Sequence, residues 1–108
     1  MELYRGDSLP ISISSKYKNG EQYIFKVGDV LKLGIKRRLS SDTYDYFIEK
    51  TIESSTTQVD FNIPPEITKE LIGGEKYILE AELTFNGGVD VATLFQEILS
   101  VKEDIINE

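Results

Sequence analysis

The chain contains no cysteine and no histidine. Without thiols, disulfides, thiolate nucleophiles and thiol-rich zinc sites are excluded. Without imidazole there is no imidazole base, no imidazole metal ligand and no serine-histidine triad. No apolar run approaches the ~20 residues that cross a bilayer as a helix. The opening Met1-Glu2-Leu3-Tyr4-Arg5-Gly6-Asp7 lacks the apolar core of a secretory signal. The expectation is synthesis in a cytoplasm without a signal peptide. Repeats and low-complexity tracts are absent as well.

Positive charge is scarce. Twelve basic against nineteen acidic residues give a net charge of −7, which repels phosphate backbones and anionic membranes. Neither nucleic acid nor a membrane is expected as a partner. The one dense basic run, Lys36-Arg37-Arg38, reads as a solvated strand end or edge guard.

What is present is alternation. At 108 residues with 40% hydrophobic content, the chain is one domain's worth. Residues 1–104 are expected as a single domain and 105–108 as a short tail. From Gly74 to Gly88, Tyr77, Leu79, Ala81, Leu83 and Phe85 share one face by the period of two. Lys76, Glu80, Glu82 and Thr84 take the other, with Ile78 as an apolar intruder. Tyr77, just after a turn, has the local pattern of a tyrosine corner.

The other segments read in the same way. Leu9, Ile11 and Ile13 alternate with Pro10, Ser12 and Ser14, a strand whose proline confines it to the periphery. Lys18-Asn19-Gly20-Glu21 is an Asn-Gly turn, and Val27-Gly28-Asp29 is a second turn. Val30 to Lys36 puts Leu31, Leu33 and Ile35 inward and Lys32, Gly34 and Lys36 outward. Tyr44 to Glu53 sets Tyr46, Ile48 and Ile52 on one side, with Lys50 breaking that apolar face. Thr57, Val59, Phe61 and Ile63 form another two-faced strand ended by Pro64-Pro65.

Between Pro65 and Ile72 the spacing changes to that of one or two helical turns, with Pro65 at a first helical position and Gly73-Gly74 as a stop. Val89 to Val101 is apolar on both faces, which implies burial on both sides or a bulge that shifts the register. The sum is an all-β, immunoglobulin-like antiparallel sandwich of about seven to eight strands with one short helical turn at about residues 65–72.

The surviving chemistry is sparse. Glu80 and Glu82 are a carboxylate pair, yet on a solvent face with no cleft to raise one pKa they read as solvated. Asp42 and Asp45 with Ser40, Ser41 and Thr43 form an oxygen-rich loop without the alternating acids and closing glutamate of a calcium loop. Gly73-Gly74 and Gly87-Gly88 precede strands, unlike phosphate loops. Arg5-Gly6-Asp7-Ser8 reads as a turn into the first strand. Tyr44, Tyr46 and Tyr77 with Phe47 could form an aromatic patch, of which only Tyr44 and Tyr46 share a side by alternation, and such side chains read more readily as core. No residue is assigned as catalytic, cofactor-binding or metal-binding, and no cofactor is expected.

Taken in order, Arg5-Gly6-Asp7-Ser8, Val27-Gly28-Asp29-Val30, the Pro64-Pro65 connection, Gly74-Glu75-Lys76-Tyr77 and Thr93-Leu94-Phe95-Gln96-Glu97-Ile98-Leu99-Ser100-Val101 carry a resemblance. The chain resembles the small immunoglobulin-like domains of phage and prophage tails, in particular the N-terminal domain of Siphoviridae baseplate upper proteins. That resemblance implies a non-enzymatic virion part, located in the tail or baseplate. It would be assembled with other virion proteins and with itself as a homo-oligomer, through a sheet face, an edge strand or the final strand. The alternative of the same fold is a carbohydrate-binding or adhesion module carrying an exposed aromatic platform at Tyr44 and Tyr46. An acidic regulatory protein acting on a basic partner is a further class.

Overall fold

The computed structural model describes residues 1–37 and 43–103. Seven strands and one helical turn follow in order: β1 (Glu2–Tyr4), β2 (Leu9–Ile13), β3 (Val30–Lys36), β4 (Tyr46–Thr51), β5 (Val59–Ile63), α1 (Pro65–Thr68), β6 (Lys76–Phe85) and β7 (Asp90–Lys102). Five strands form one sheet in the order β1-β7-β6-β3-β4, and β2 with β5 forms the other. The fold is the all-β, immunoglobulin-like sandwich that the alternation implies. Strands β3, β6 and β7 form the centre of one layer, and the β2–β5 pair faces them.

The core lies where the period of two places it. Leu31, Leu33 and Ile35 of β3, Leu79, Ala81 and Leu83 of β6, and Ile13, Phe61 and Ile63 of the small sheet are buried together. Apart from Ala81, each of these buried aliphatic and aromatic side chains contributes on the order of 1.5–3 kcal/mol of burial free energy. Pro10 sits on β2, which pairs with β5 on one side and is an edge strand among the described residues, the position where a strand tolerates proline. Lys50 projects inward from β4, yet its ammonium donates to the Asp60 carbonyl and lies 4.9 Å from the Phe61 ring centre. Its stem thereby covers apolar surface while the charge caps an open strand edge.

Several expectations are corrected. The sandwich is not wholly antiparallel, because β1 runs parallel to β7, with Glu2 opposite Ser100 and Tyr4 opposite Lys102. Three residues are too few to show a period, which is why β1 escaped the pattern. The helix is one turn shorter than 65–72 at Pro65–Thr68, with Pro65 in its first turn, and Gly74 follows at φ +86°. The strand expected from Tyr44 starts at Tyr46. Arg38 of the basic run, Ser40, Ser41 and Asp42 of the oxygen-rich loop, and the 105–108 tail lie outside the described residues.

The long final strand resolves as the bulge reading anticipated. Ala81 pairs with Phe95 and Glu82 with Thr93, so Leu94 is the extra residue on β7. One inserted residue moves the following side chains to the opposite face. Apolar residues therefore occupy both parities in the sequence. Beyond the bulge, Leu99 and Val101 enter the core, while Ile98 points to the outer face and is 55% exposed.

Candidate functional site

The outer face of the five-stranded sheet collects most of the unusual chemistry. Alternation sends Lys76, Ile78, Glu80, Glu82 and Thr84 of β6 to this face. Register then sets Glu80 beside Gly34 and Gln96, and Ile78 beside Lys36 and Ile98. Glu82 lies beside Lys32, which in turn lies beside Glu49. The residues on this face would read as solvated if nothing lay on top of them.

Tyr44 lies on top. It precedes β4, where the backbone has bent and the Asp45 N–H donates to the Ile35 carbonyl at 2.8 Å. Strand alternation does not extend to it. Tyr44 and Phe47 therefore share the outer face, with ring centres 6.1 Å apart, while Tyr46 packs on the core. The expected pairing of Tyr44 with Tyr46 is overturned, and the two-tyrosine sugar platform with it. Gly34 makes the arrangement possible, because a Cβ there would intrude into the Tyr44 ring.

Beneath the ring lies a buried polar cluster. Glu80 is only 4% exposed and Lys36 6%, which corrects the solvated reading of both. The Glu80 carboxylate accepts the Tyr44 hydroxyl at 2.6 Å and the Gln96 amide, and its Oε2 is 3.2 Å from the Lys36 ammonium. Burial by itself would raise the Glu80 carboxyl. The hydrogen bonds from Tyr44, Gln96 and Lys36 outweigh it and hold the group below the ordinary glutamate value. Burial and the neighbouring carboxylate push the Tyr44 phenol upward. Lys32 completes the layer, its ammonium 4.4 Å from the Tyr44 ring centre and 4.7 Å from that of Phe47.

A carboxylate held ionised by three donors is a poor general acid, and each of those donors is already occupied. Glu82 stands beside Lys32 rather than across a cleft from Glu80. Glu80, held low, cannot supply the raised-pKa acid that glycoside chemistry requires.

The remaining candidates fall elsewhere. Arg5-Gly6-Asp7-Ser8 forms the β1–β2 connection, and the Arg5 guanidinium is committed to the Lys69 carbonyl at 2.8 Å and to Glu103 at 3.2 Å. Thr68 ties the same turn down by donating to the Asp7 carbonyl at 2.7 Å. That tripeptide is structural. Asp45, the described acid of the oxygen-rich loop, pairs with Arg37 at 3.8 Å. Among the described residues no group of three or more acids, histidines or cysteines is placed to hold a metal ion. No described helix is long and apolar enough to cross a membrane.

Tyr77 behaves as the corner its position suggested. Its hydroxyl accepts the Ile72 N–H at 3.0 Å, locking the β5–β6 connection to the start of β6. Beside it is a cleft of about 210 Å3 bounded by Arg37, Asp45, Tyr46 and Glu70. Its charged groups include the Arg37–Asp45 ion pair, and it holds no nucleophile with an adjacent base. The residue that sequence reasoning missed is Tyr44 as a lid. The available signal was Gly34, since a glycine inside an alternating strand marks a close approach.

Comparison with protein-family models, with curated proteins and with solved structures finds no match.

Proposed function

We propose that the protein is a non-enzymatic structural or adaptor component of a phage or prophage tail or baseplate, acting by protein-protein assembly. The observation that carries this reading is the ordered set of turn motifs. Arg5-Gly6-Asp7-Ser8 links β1 to β2, Val27-Gly28-Asp29 opens β3, Pro64-Pro65 opens α1, and Gly74-Glu75-Lys76-Tyr77 opens β6. They follow the order in which the tail-domain resemblance has them, on an immunoglobulin-like sandwich. A scaffold of this kind acts through its surface, and Phe47, Val91 and Ile98 are apolar side chains at least half exposed on the outer face.

The test is particle composition. Mass spectrometry of purified particles from the encoding phage or induced prophage is expected to find the chain in fixed ratio to the tail proteins. Deleting its gene is expected to leave defective tails or non-infective particles. Particles that lack the chain and still infect normally would overturn the reading.

A further inference from the structure

We propose that two copies of this chain associate by packing the outer faces of their five-stranded sheets against each other. The inference deepens the self-assembly that the virion reading expects by naming one face and a two-fold pair, and it needs no virion to hold.

Charge selects this face. Its strand positions carry Glu2, Glu49, Glu80 and Glu82 against Lys32, Lys36, Lys76 and Lys102. Counted over its described strand positions, the face is neutral in a chain of net charge −7. The acidic excess lies elsewhere: Glu66, Glu70 and Glu75 surround the β5–β6 connection, and Asp90 and Glu97 lie on the other side of β7. Two copies that meet by any acidic surface repel, and by this face they do not. Signs also alternate within it, as Glu82, Lys32 and Glu49 form one row across β6, β3 and β4. A two-fold axis presents the same row reversed, so a small offset brings lysine opposite glutamate. A strongly basic partner would be drawn to the acidic surfaces instead.

Apolar side chains supply the attraction. Ile98 and Ile78 lie in one row beside Lys36, the Tyr44 ring covers Gly34, and Phe47 follows on β4. Phe47 is 51% exposed and Val91 60%. The edges of β7 and β2 are less available. The bulge at Leu94 interrupts the free edge of β7, Glu97 stands on the inner side opposite Leu79, and Pro10 occupies β2. Each is a device that discourages edge pairing.

Area sets the strength. Four strands ~4.8 Å apart, with about seven residues each at ~3.3 Å, present roughly 19 by 23 Å, so a pair buries about 900 Å2 in total. Tight specific complexes bury ~1,200–2,000 Å2, which places this contact among reversible ones. The dimer should form and dissociate within an accessible concentration range.

Sedimentation equilibrium of the full chain tests this from about 1 μM to 1 mM. The mass is expected to rise from 12.3 kDa toward twice that value, with little dependence on salt. Phe47→Glu and Ile98→Glu, both at exposed positions, should each weaken association at least tenfold while the melting temperature stays within a few degrees. Ile72→Glu, on the β5–β6 connection, should leave it unchanged. A wild-type chain that remains monomeric throughout would overturn the proposal. So would a dimer indifferent to both face substitutions, or one lost equally with Ile72→Glu. Each of these outcomes is independent of whether the chain is found in a virion.

Discussion

Removing one partner of the Lys36–Glu80 pair leaves the other charge buried without compensation. For such pairs the cost is about 3–5 kcal/mol, and Glu80→Gln is expected to lower stability by that order in urea denaturation. The pH dependence has a definite sign. The Glu80 carboxyl titrates lower in the folded chain than the ordinary value of 4.5. The unfolded chain therefore binds more protons through that range. The stabilisation is complete above about that value and is lost as the pH falls through the folded one. The stability gap between wild type and Glu80→Gln should accordingly narrow on acidification.

Gly34 offers a second reading of the same cluster. Gly34→Ala forces the Tyr44 ring off the sheet or shifts the strand, at about 1–3 kcal/mol for overpacking, measurable by thermal unfolding. In a Tyr44→Ala background the same change should be neutral or stabilising, since alanine suits a strand interior better than glycine. That difference is the coupling energy of a double-mutant cycle. Neither residue's role was visible in the alternation. It assigned Glu80 and Lys36 to the outside correctly and left open what lay over them.

Among the elements, the connection from β5 to β6 is the most strongly specified by local sequence. Pro65 starts α1, Gly74 takes a positive φ, and the Tyr77 hydroxyl accepts the Ile72 N–H. Tyr77→Phe keeps the buried ring and removes only the acceptor. It should cost about 0.5–1.5 kcal/mol, the net value of one hydrogen bond whose donor is only partly buried. Faster hydrogen exchange at the Ile72 amide would locate the effect. The bulge in β7 was one of two readings the sequence left open, since apolar residues of both parities also fit a strand buried on both sides, and the register decided between them. By contrast, β1 was invisible. It is three residues long, and it is held by a parallel ladder to residues nearly a whole chain length away.

For the whole molecule, the arrangement of charge matters more than its sum. A net −7 discourages random contact, while the neutral outer face leaves one direction of approach open. The inner faces could be read directly from the residues because adjacent side chains on a strand must point to opposite sides, a covalent constraint that needs no partner. The Asn-Gly turn, the proline that opens α1 and the glycine that turns the chain into β6 follow from equally local backbone preferences. Burial on the outer face had a different origin. The Tyr44 hydroxyl meets Glu80 across 36 positions of sequence, and contacts at such separation exist only after the chain has closed on itself. Local geometry thus assigned the side of each residue, and long-range folding settled which outward residues remained in water.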